Sequence, residues 1–235
     1  MHQELRGLSS MATRPLLAEL GEHLRRAHGT PVRFDSAGGV EIARRVREGA
    51  EADLLVLAAG AVTALEREGR LRPGTVRPLW TSQVVAAVPD GSPAPALATV
   101  DDLRTALTQA RGIAYSTGPS GTALIELLHR LGLAGTLADR LVQAPPGVPA
   151  GDFLSSGRAD LAFQQLSELK DLPGVTVVGP LPGDTAITST FAGGVLTTAT
   201  DPERALAALG HLASDGASRL AVAHGMTPTA PGARG

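Results

Sequence analysis

The chain has no cysteine, so disulfides, thiolate nucleophiles and cysteine-based metal sites are all excluded, and the redox compartment is left open. Aromatic residues are almost as scarce, at 3% of 235 positions, which argues against the stacking platforms that hold single-stranded nucleic acid. No sign of charge dominates. Against 23 acidic residues stand 21 Lys and Arg, a formal net charge of −2. The two signs are interspersed, so no polyanion groove or membrane-surface patch is encoded and no nucleic-acid partner is expected. No apolar run approaches the roughly 20 residues of a membrane-spanning helix. The opening Met1-His2-Gln3-Glu4-Leu5-Arg6 has neither the basic n-region nor the apolar h-region of a secretory signal. If Met1 is the true start, the expected location is the cytoplasm; if the start is trimmed or misassigned, it is periplasmic or otherwise extracytoplasmic.

Several chemistries lack their motifs. The six histidines show no H-E-x-x-H or similar spacing, so no metal is expected. There is no G-x-x-x-x-G-K-[ST] and no dinucleotide fingerprint, and Ser116–Gly121 lacks the lysine of a phosphate loop, so no nucleotide or other cofactor is expected. A G-x-S-x-G nucleophile elbow is missing too.

What remains is 43% hydrophobic and dominated by Leu, Val and Ala, enough for a sizeable core. The first third reads as three strand–helix units: Glu4–Leu8 then Met11–Ala27, Pro31–Asp35 then Gly39–Glu48, and Asp53–Ala58 then Ala61–Glu68. Leu16, Leu17, Leu20 and Leu24 fall on one helical face, as burial against a parallel sheet requires. Pro15 sits late for a helix that starts directly after Ser10, which leaves Thr13 as an alternative cap. A second α/β segment follows the turn at Arg72-Pro73-Gly74. Its strands are expected at Val84–Val88, Ile113–Ser116, Leu141–Gln143, Leu161–Gln165 and Val175–Val178. Thr99 and Asp102 form a capping-box pattern that starts a helix at Val100. Helices are also expected over Gly121–Leu131 and Gly151–Ser156. A β-like run, Ala186–Leu196, and two helices, Pro202–Ser214 and Ala217–His224, return to the first lobe, before a disordered tail from Pro228.

Four loops place small polar residues or glycine where a strand gives way to a helix: Ser9-Ser10, Ser36-Ala37-Gly38-Gly39, Ser116–Gly121 and Pro145-Pro146-Gly147. In open α/β sheets that edge binds ligands, because unpaired helix N–H groups and the positive end of the helix dipole point into the crevice. Hydroxyls and glycine N–H groups can hold an anion without formal charge. Arg14, near the start of the first helix, could pair with a carboxylate, and the amides of Gln164 and Gln165 end a strand at the same edge. Each residue also has an ordinary alternative, as an N-cap, a solvated arginine or a solvated strand end.

The order of these loops resembles the type II periplasmic binding proteins, specifically the molybdate-binding-protein-like branch. The resemblance is carried by Leu8–Ala12, Phe34–Gly39, Ala52–Val56, Tyr115–Gly121 and Gly157–Ala162, and runs from Glu4 to about Pro228. It implies an α/β fold of two lobes, each a mostly parallel sheet flanked by helices, with a cleft between them that closes on a ligand. The first lobe would take 1–83 and 188–235, the second 84–187. It also implies a soluble monomer without membrane insertion, binding a small anion and, if exported, serving an ABC importer. By motif, Ser10 corresponds to the family's first-loop serine, Ser36–Gly39 to its second loop, Ser120 to its third-loop contact and Gly147 to a fourth. Where molybdate binders tend to carry adjacent serines and a late tyrosine, this chain has Gly38-Gly39 and Gln165. That departure favours an organic carboxylate over a compact metal oxyanion. The ligand-binding set is therefore Ser9, Ser10, Arg14, Ser36, Gly38, Gly39, Ser116, Ser120, Gly121, Gly147, Gln164 and Gln165. The same branch includes proteins similar to aconitate isomerase, so the alternative is a tricarboxylate isomerase acting by proton transfer, with Glu41, Glu168, Tyr115 and Asp35 as conceivable bases.

Overall fold

A computed structural model describes residues 4–229; of the tail expected to be disordered from Pro228, Pro228 instead pairs with Trp80 and Thr229 N–H donates to Leu79 C=O at 3.1 Å, and the rest lies outside the described residues. The chain divides into two units. One comprises residues up to Thr81 and from Thr190 onward, the other Ser82–Ser189.

The first unit contains β1 (Leu5–Ser10), α1 (Arg14–His28), β2 (Val32–Ala37), α2 (Gly39–Arg47), β3 (Leu54–Ala58), α3 (Ala59–Arg67) and the start of β4 (Arg77–Pro89). β1 lies between β2 and β3 and is parallel to both. The sheet is buried on both sides, which explains the unbroken apolar run of β3. Leu54 and Val56 face α1, while Leu55 and Leu57 face α2 and α3. On α1 the expected stripe Leu16, Leu17, Leu20 and Leu24 is buried. The helix itself begins at Arg14 rather than Met11, because a 3₁₀ turn, Met11–Thr13, intervenes. That turn brings Pro15 to the second helical position, where its missing N–H costs no hydrogen bond.

The second unit takes β4 onward from Ser82, then α4 (Val100–Gln109), β5 (Ile113–Tyr115), α5 (Pro119–Arg130), α6 (Ala134–Leu137), β6 (Leu141–Gln143), α7 (Asp152–Ser155), β7 (Leu161–Gln165), α8 (Leu166–Leu169) and β8 (Val175–Pro180). β5 is parallel to β6 and β7, and β4 is antiparallel to β7 and β8. The same alternation builds two cores here. Val84, Ile113, Leu161 and Phe163 pack with α4 and α5, whereas Val85, Ala87 and Ala162 pack with α7 and α8. Helix α4 starts as its sequence specifies: the Thr99 side chain accepts from Asp102 N–H at 3.1 Å and the Asp102 carboxylate accepts from Thr99 N–H at 2.9 Å.

The chain leaves this unit along β9 (Thr188–Val195), which pairs antiparallel with β3, and ends in α9 (Pro202–Leu212), α10 (Asp215–Ala223) and β10 (Thr227–Pro228). Two aspartates repeat one device, one per unit, at the start of an inner strand. Asp53 accepts from the N–H groups of Arg6 (2.8 Å) and Thr200 (3.1 Å). Asp160 accepts from Arg111 N–H (2.9 Å) and Gly112 N–H (3.1 Å). Both therefore tie chain segments together at the strand ends opposite the hydroxyl-rich loops. Among the described residues no helix is long and apolar enough to cross a membrane, and no group of three or more His, Asp or Glu could hold a metal ion.

Candidate functional site

In the first unit the hydroxyls gather at the carboxyl ends of β1 and β2. Ser9 and Ser36 are register partners, and their Oγ atoms lie 2.7 Å apart. Ser9 is fully buried. Ser10 follows as the cap residue of the 3₁₀ turn. Its carbonyl accepts from the Thr13 hydroxyl at 3.0 Å, and its own Oγ is 3.4 Å from that hydroxyl. Thr13, offered as an alternative cap, is the N-cap residue of α1, but its hydroxyl braces Ser10 and makes no capping hydrogen bond. Gly38 caps α2 without a side chain, and Gly39 is the first helical residue, so this nine-residue helix presents its first N–H groups beside the paired hydroxyls. Arg14 is exposed at the head of α1, and no hydrogen bond or ion pair to another described residue fixes its guanidinium.

The second unit repeats the pattern. Ser116, just past β5, and Ser120, the second residue of α5, have their Oγ atoms 2.9 Å apart. Gly118 caps α5, and Pro119 opens it at a position where no N–H is needed. Gly121 is dictated by packing, because a Cβ there would collide with the Ser116 carbonyl. Gly147 is exposed and has φ +81° in a turn closed by Val148 N–H donating to Pro145 C=O at 3.1 Å. The turn alone accounts for that glycine.

Gln164 and Gln165 are adjacent on a strand and consequently face opposite sides of the sheet. Gln164 is buried, and its Oε1 accepts from Ala150 N–H at 2.6 Å. Its amide also hydrogen-bonds the Glu168 carboxyl. Burial pushes that carboxyl up to about 7, against the smaller opposing effect of the Gln164 bond. With both ends engaged, Gln164 organises its own surroundings and has little left to offer a ligand. Gln165 differs. Its Nε2 donates to Ser189 Oγ at 2.7 Å, while its Oε1 is buried without a partner. Sequence reasoning passed over Ser82, Ser167 and Ser189. Ser82 and Ser167 also carry buried hydroxyls without partners, and only the strand pairing brings Ser189 to Gln165.

Of the conceivable bases, Asp35 pairs with Arg45 at 2.7 Å and Glu41 with Arg44 at 2.7 Å, both on the surface. Glu168 has no cationic partner among the described residues and holds the raised carboxyl.

Both structural comparisons and sequence relatives converge on one fold. The periplasmic molybdate-binding protein of Azotobacter vinelandii superposes with a TM-score of 0.81 at 20% identity, covering 97% of this chain and 100% of that one. The sulfate-binding protein SubI of Mycobacterium tuberculosis gives 0.78 at 18% identity, covering 98% and 88%. The fold is that of the type II periplasmic binding proteins. An aconitate isomerase from a Pseudomonas species is 30% identical over 188 residues, 80% of this chain and 71% of its own. Residues 5–227 match the bacterial extracellular solute-binding proteins, and the chain belongs to that family.

Proposed function

We propose that this chain binds a small anion, an organic carboxylate or a metal oxyanion, with neutral donors rather than with a cluster of cations. The observation that carries the reading is the recurrence of one motif in both units. In each, two hydroxyls within 3 Å of one another stand where a strand ends and a helix of nine or more residues begins. A hydroxyl pair holds two protons and consumes one between its members, so one O–H is left to donate. The first-turn N–H groups of α2 and α5 add donors of the same sense. On this reading Ser9, Ser10, Ser36, Gly38 and Gly39 contribute from the first unit, and Ser116, Ser120, Gly121 and Gln165 from the second. Arg14 is free to engage a carboxylate, and Gly147 shapes its loop. As a solute receptor outside the cytoplasm the protein would serve an ABC importer.

Thermal unfolding against molybdate, tungstate, sulfate, citrate and the two aconitates tests this. A ligand bound only by the folded state adds about 2.7 kcal/mol of stability at one hundred times its Kd. At least one anion should raise Tm. A flat response to all six, repeated at millimolar concentration, overturns the reading.

A second reading is favoured by the relative at 30% identity and by Glu168. A carboxyl held at about 7 is suited to proton transfer near neutrality. An isomerase would use such a group as base and the hydroxyl donors for the charge that develops on the carboxylate. Incorporation of deuterium into cis- or trans-aconitate in D₂O distinguishes the two. Exchange above the buffer rate supports the isomerase, and a buffer rate in the presence of demonstrated aconitate binding removes it.

A further inference from the structure

Within the second unit β4 lies between β9 and β7. Val84 on β4 is the register partner of Gln165 on β7, and its N–H donates to Ile187 C=O on the other side at 2.8 Å. Ser82 is two residues back along β4, on the same face as Val84, and Ser189 is two residues on from Ile187. The Gln165 side chain reaches across β4 to the Ser189 hydroxyl. Gln165, Ser82 and Ser189 thus place three polar side chains on the face that elsewhere carries Val84, Leu161 and Phe163.

The cluster is incomplete. Gln165 is 3% exposed and Ser82 2%, yet Gln165 Oε1 and Ser82 Oγ have no hydrogen-bond partner, and they do not bond to each other. Ser167, two residues beyond Gln165, has a buried hydroxyl in the same condition. Buried polar atoms are rarely left unpaired in a folded protein, and a group from outside the chain is the usual completion. Its chemistry is set by what is unsatisfied: Oε1 accepts only, whereas a hydroxyl both donates and accepts. A fully ionised tetrahedral oxyanion or a bare carboxylate has no proton for Oε1. An alcohol has one, and its oxygen can in turn accept from Ser82. A hydroxyl completes the cluster whichever end of the Gln165 amide faces Ser189.

We infer that Gln165 and Ser82 are specificity-determining residues that receive the hydroxyl of a hydroxycarboxylate ligand. The inference rests on the anion-binding reading and narrows its ligand class from small anions in general to carboxylates with an adjacent alcohol.

The test uses matched probes that differ by a single hydroxyl: citrate against tricarballylate, and malate against succinate, titrated calorimetrically into the full chain. The hydroxylated member of at least one pair should bind tighter by about tenfold or more, because a site built for a hydroxyl is left unpaired by the analogue without one. Ser82→Ala and Gln165→Met should each reduce that ratio toward one, and Ser82→Ala should leave the hydroxyl-free member bound as it is by the parent. Two variants guard against a folding defect in either, and an unchanged unfolding midpoint qualifies each for the comparison. Equal affinities within both pairs would overturn the inference and assign the cluster to a trapped water. Retention of the full ratio in both folded variants would do the same. Binding of sulfate or molybdate with no binding of any of the four acids would overturn this inference while leaving anion binding intact. No binding of any of these six, nor of tungstate or the two aconitates, would overturn both.

Discussion

Replacing Glu168 by Gln separates the burial of a carboxyl from the hydrogen bond it makes. The variant keeps an oxygen to accept from the Gln164 amide but can never ionise. In the folded protein burial raises this carboxyl from an ordinary 4.5 to about 7. Below pH 4.5 the proton is held in both the folded and unfolded chains, and the residue behaves as a neutral side chain. Between 4.5 and about 7 the unfolded chain releases its proton first, so the folded state is progressively penalised, and above about 7 the penalty is complete. At about 1.4 kcal/mol per pH unit, the interval sets a ceiling of about 3.5 kcal/mol. No ionisable residue of β7 or β8 intervenes, and the neighbouring Lys170 and Asp171 pair with each other at 2.7 Å. Denaturant unfolding of both proteins at half-unit steps from pH 4 to pH 8.5 measures the effect. Glu168→Gln should match the parent near pH 4.5 and gain on it steadily up to about pH 7, by no more than about 3.5 kcal/mol, then run parallel. Curves that stay parallel over the whole range would refute the burial of an ionising carboxyl.

Asp160 carries the opposite sign: burial raises it, but Arg111 and the N–H groups of Gly112 and Arg111 outweigh that and hold it below its usual 3.8. Its contribution is present above pH 3.8 and is lost as pH falls through the lower folded value, so Asp160→Asn should flatten the acid limb of the unfolding curve. Burial, with His28 and His23 nearby, lowers His211, whose ring stacks on His28 at 3.8 Å. Folding therefore favours neutral His211, and His211→Gln should lose less Tm than the parent between pH 7 and pH 5. Thr99→Ala removes the side-chain half of the α4 capping box and should cost about 1 kcal/mol in urea unfolding with no change in m. Gly121→Ala forces its methyl onto the Ser116 carbonyl, so it should lower Tm and weaken anion binding together; full affinity in the variant would detach this loop from the site.

The strand–helix grammar was legible wherever local chemistry is strong. The Thr99–Asp102 box gives the start of α4 to the residue, and the leucine stripe of α1 gives its buried face. Boundaries slipped where local and tertiary preferences compete. A 3₁₀ turn at Met11–Thr13 precedes α1, and Val84–Val88 is only the latter half of a strand that begins at Arg77, because the first half takes its pairing from the distant β10 and β9. Helix α6 was passed over, since four residues of Ala134–Leu137 carry no period. At the site, Ser9-Ser10, Ser36 and Ser116–Ser120 stand out in the sequence as hydroxyls before helices, yet which of them pair depends on register between strands. Gln164 and Gln165 look equivalent in one dimension. Strand alternation sends the first to Ala150 and Glu168 and the second to Ser189. Ser82 and Ser189 gave no local signal at all, because their neighbourhood exists only once β4 and β9 lie side by side.

The central claim is that neutral hydroxyls and helix N–H groups hold an anion. Calorimetric titration of the tightest-binding anion into the Ser10→Ala, Ser120→Ala double variant tests it most directly. A hydrogen bond to a charged group is worth roughly 1.5–3 kcal/mol, so each lost hydroxyl should weaken binding by about tenfold or more. A folded double variant with undiminished affinity would contradict the account.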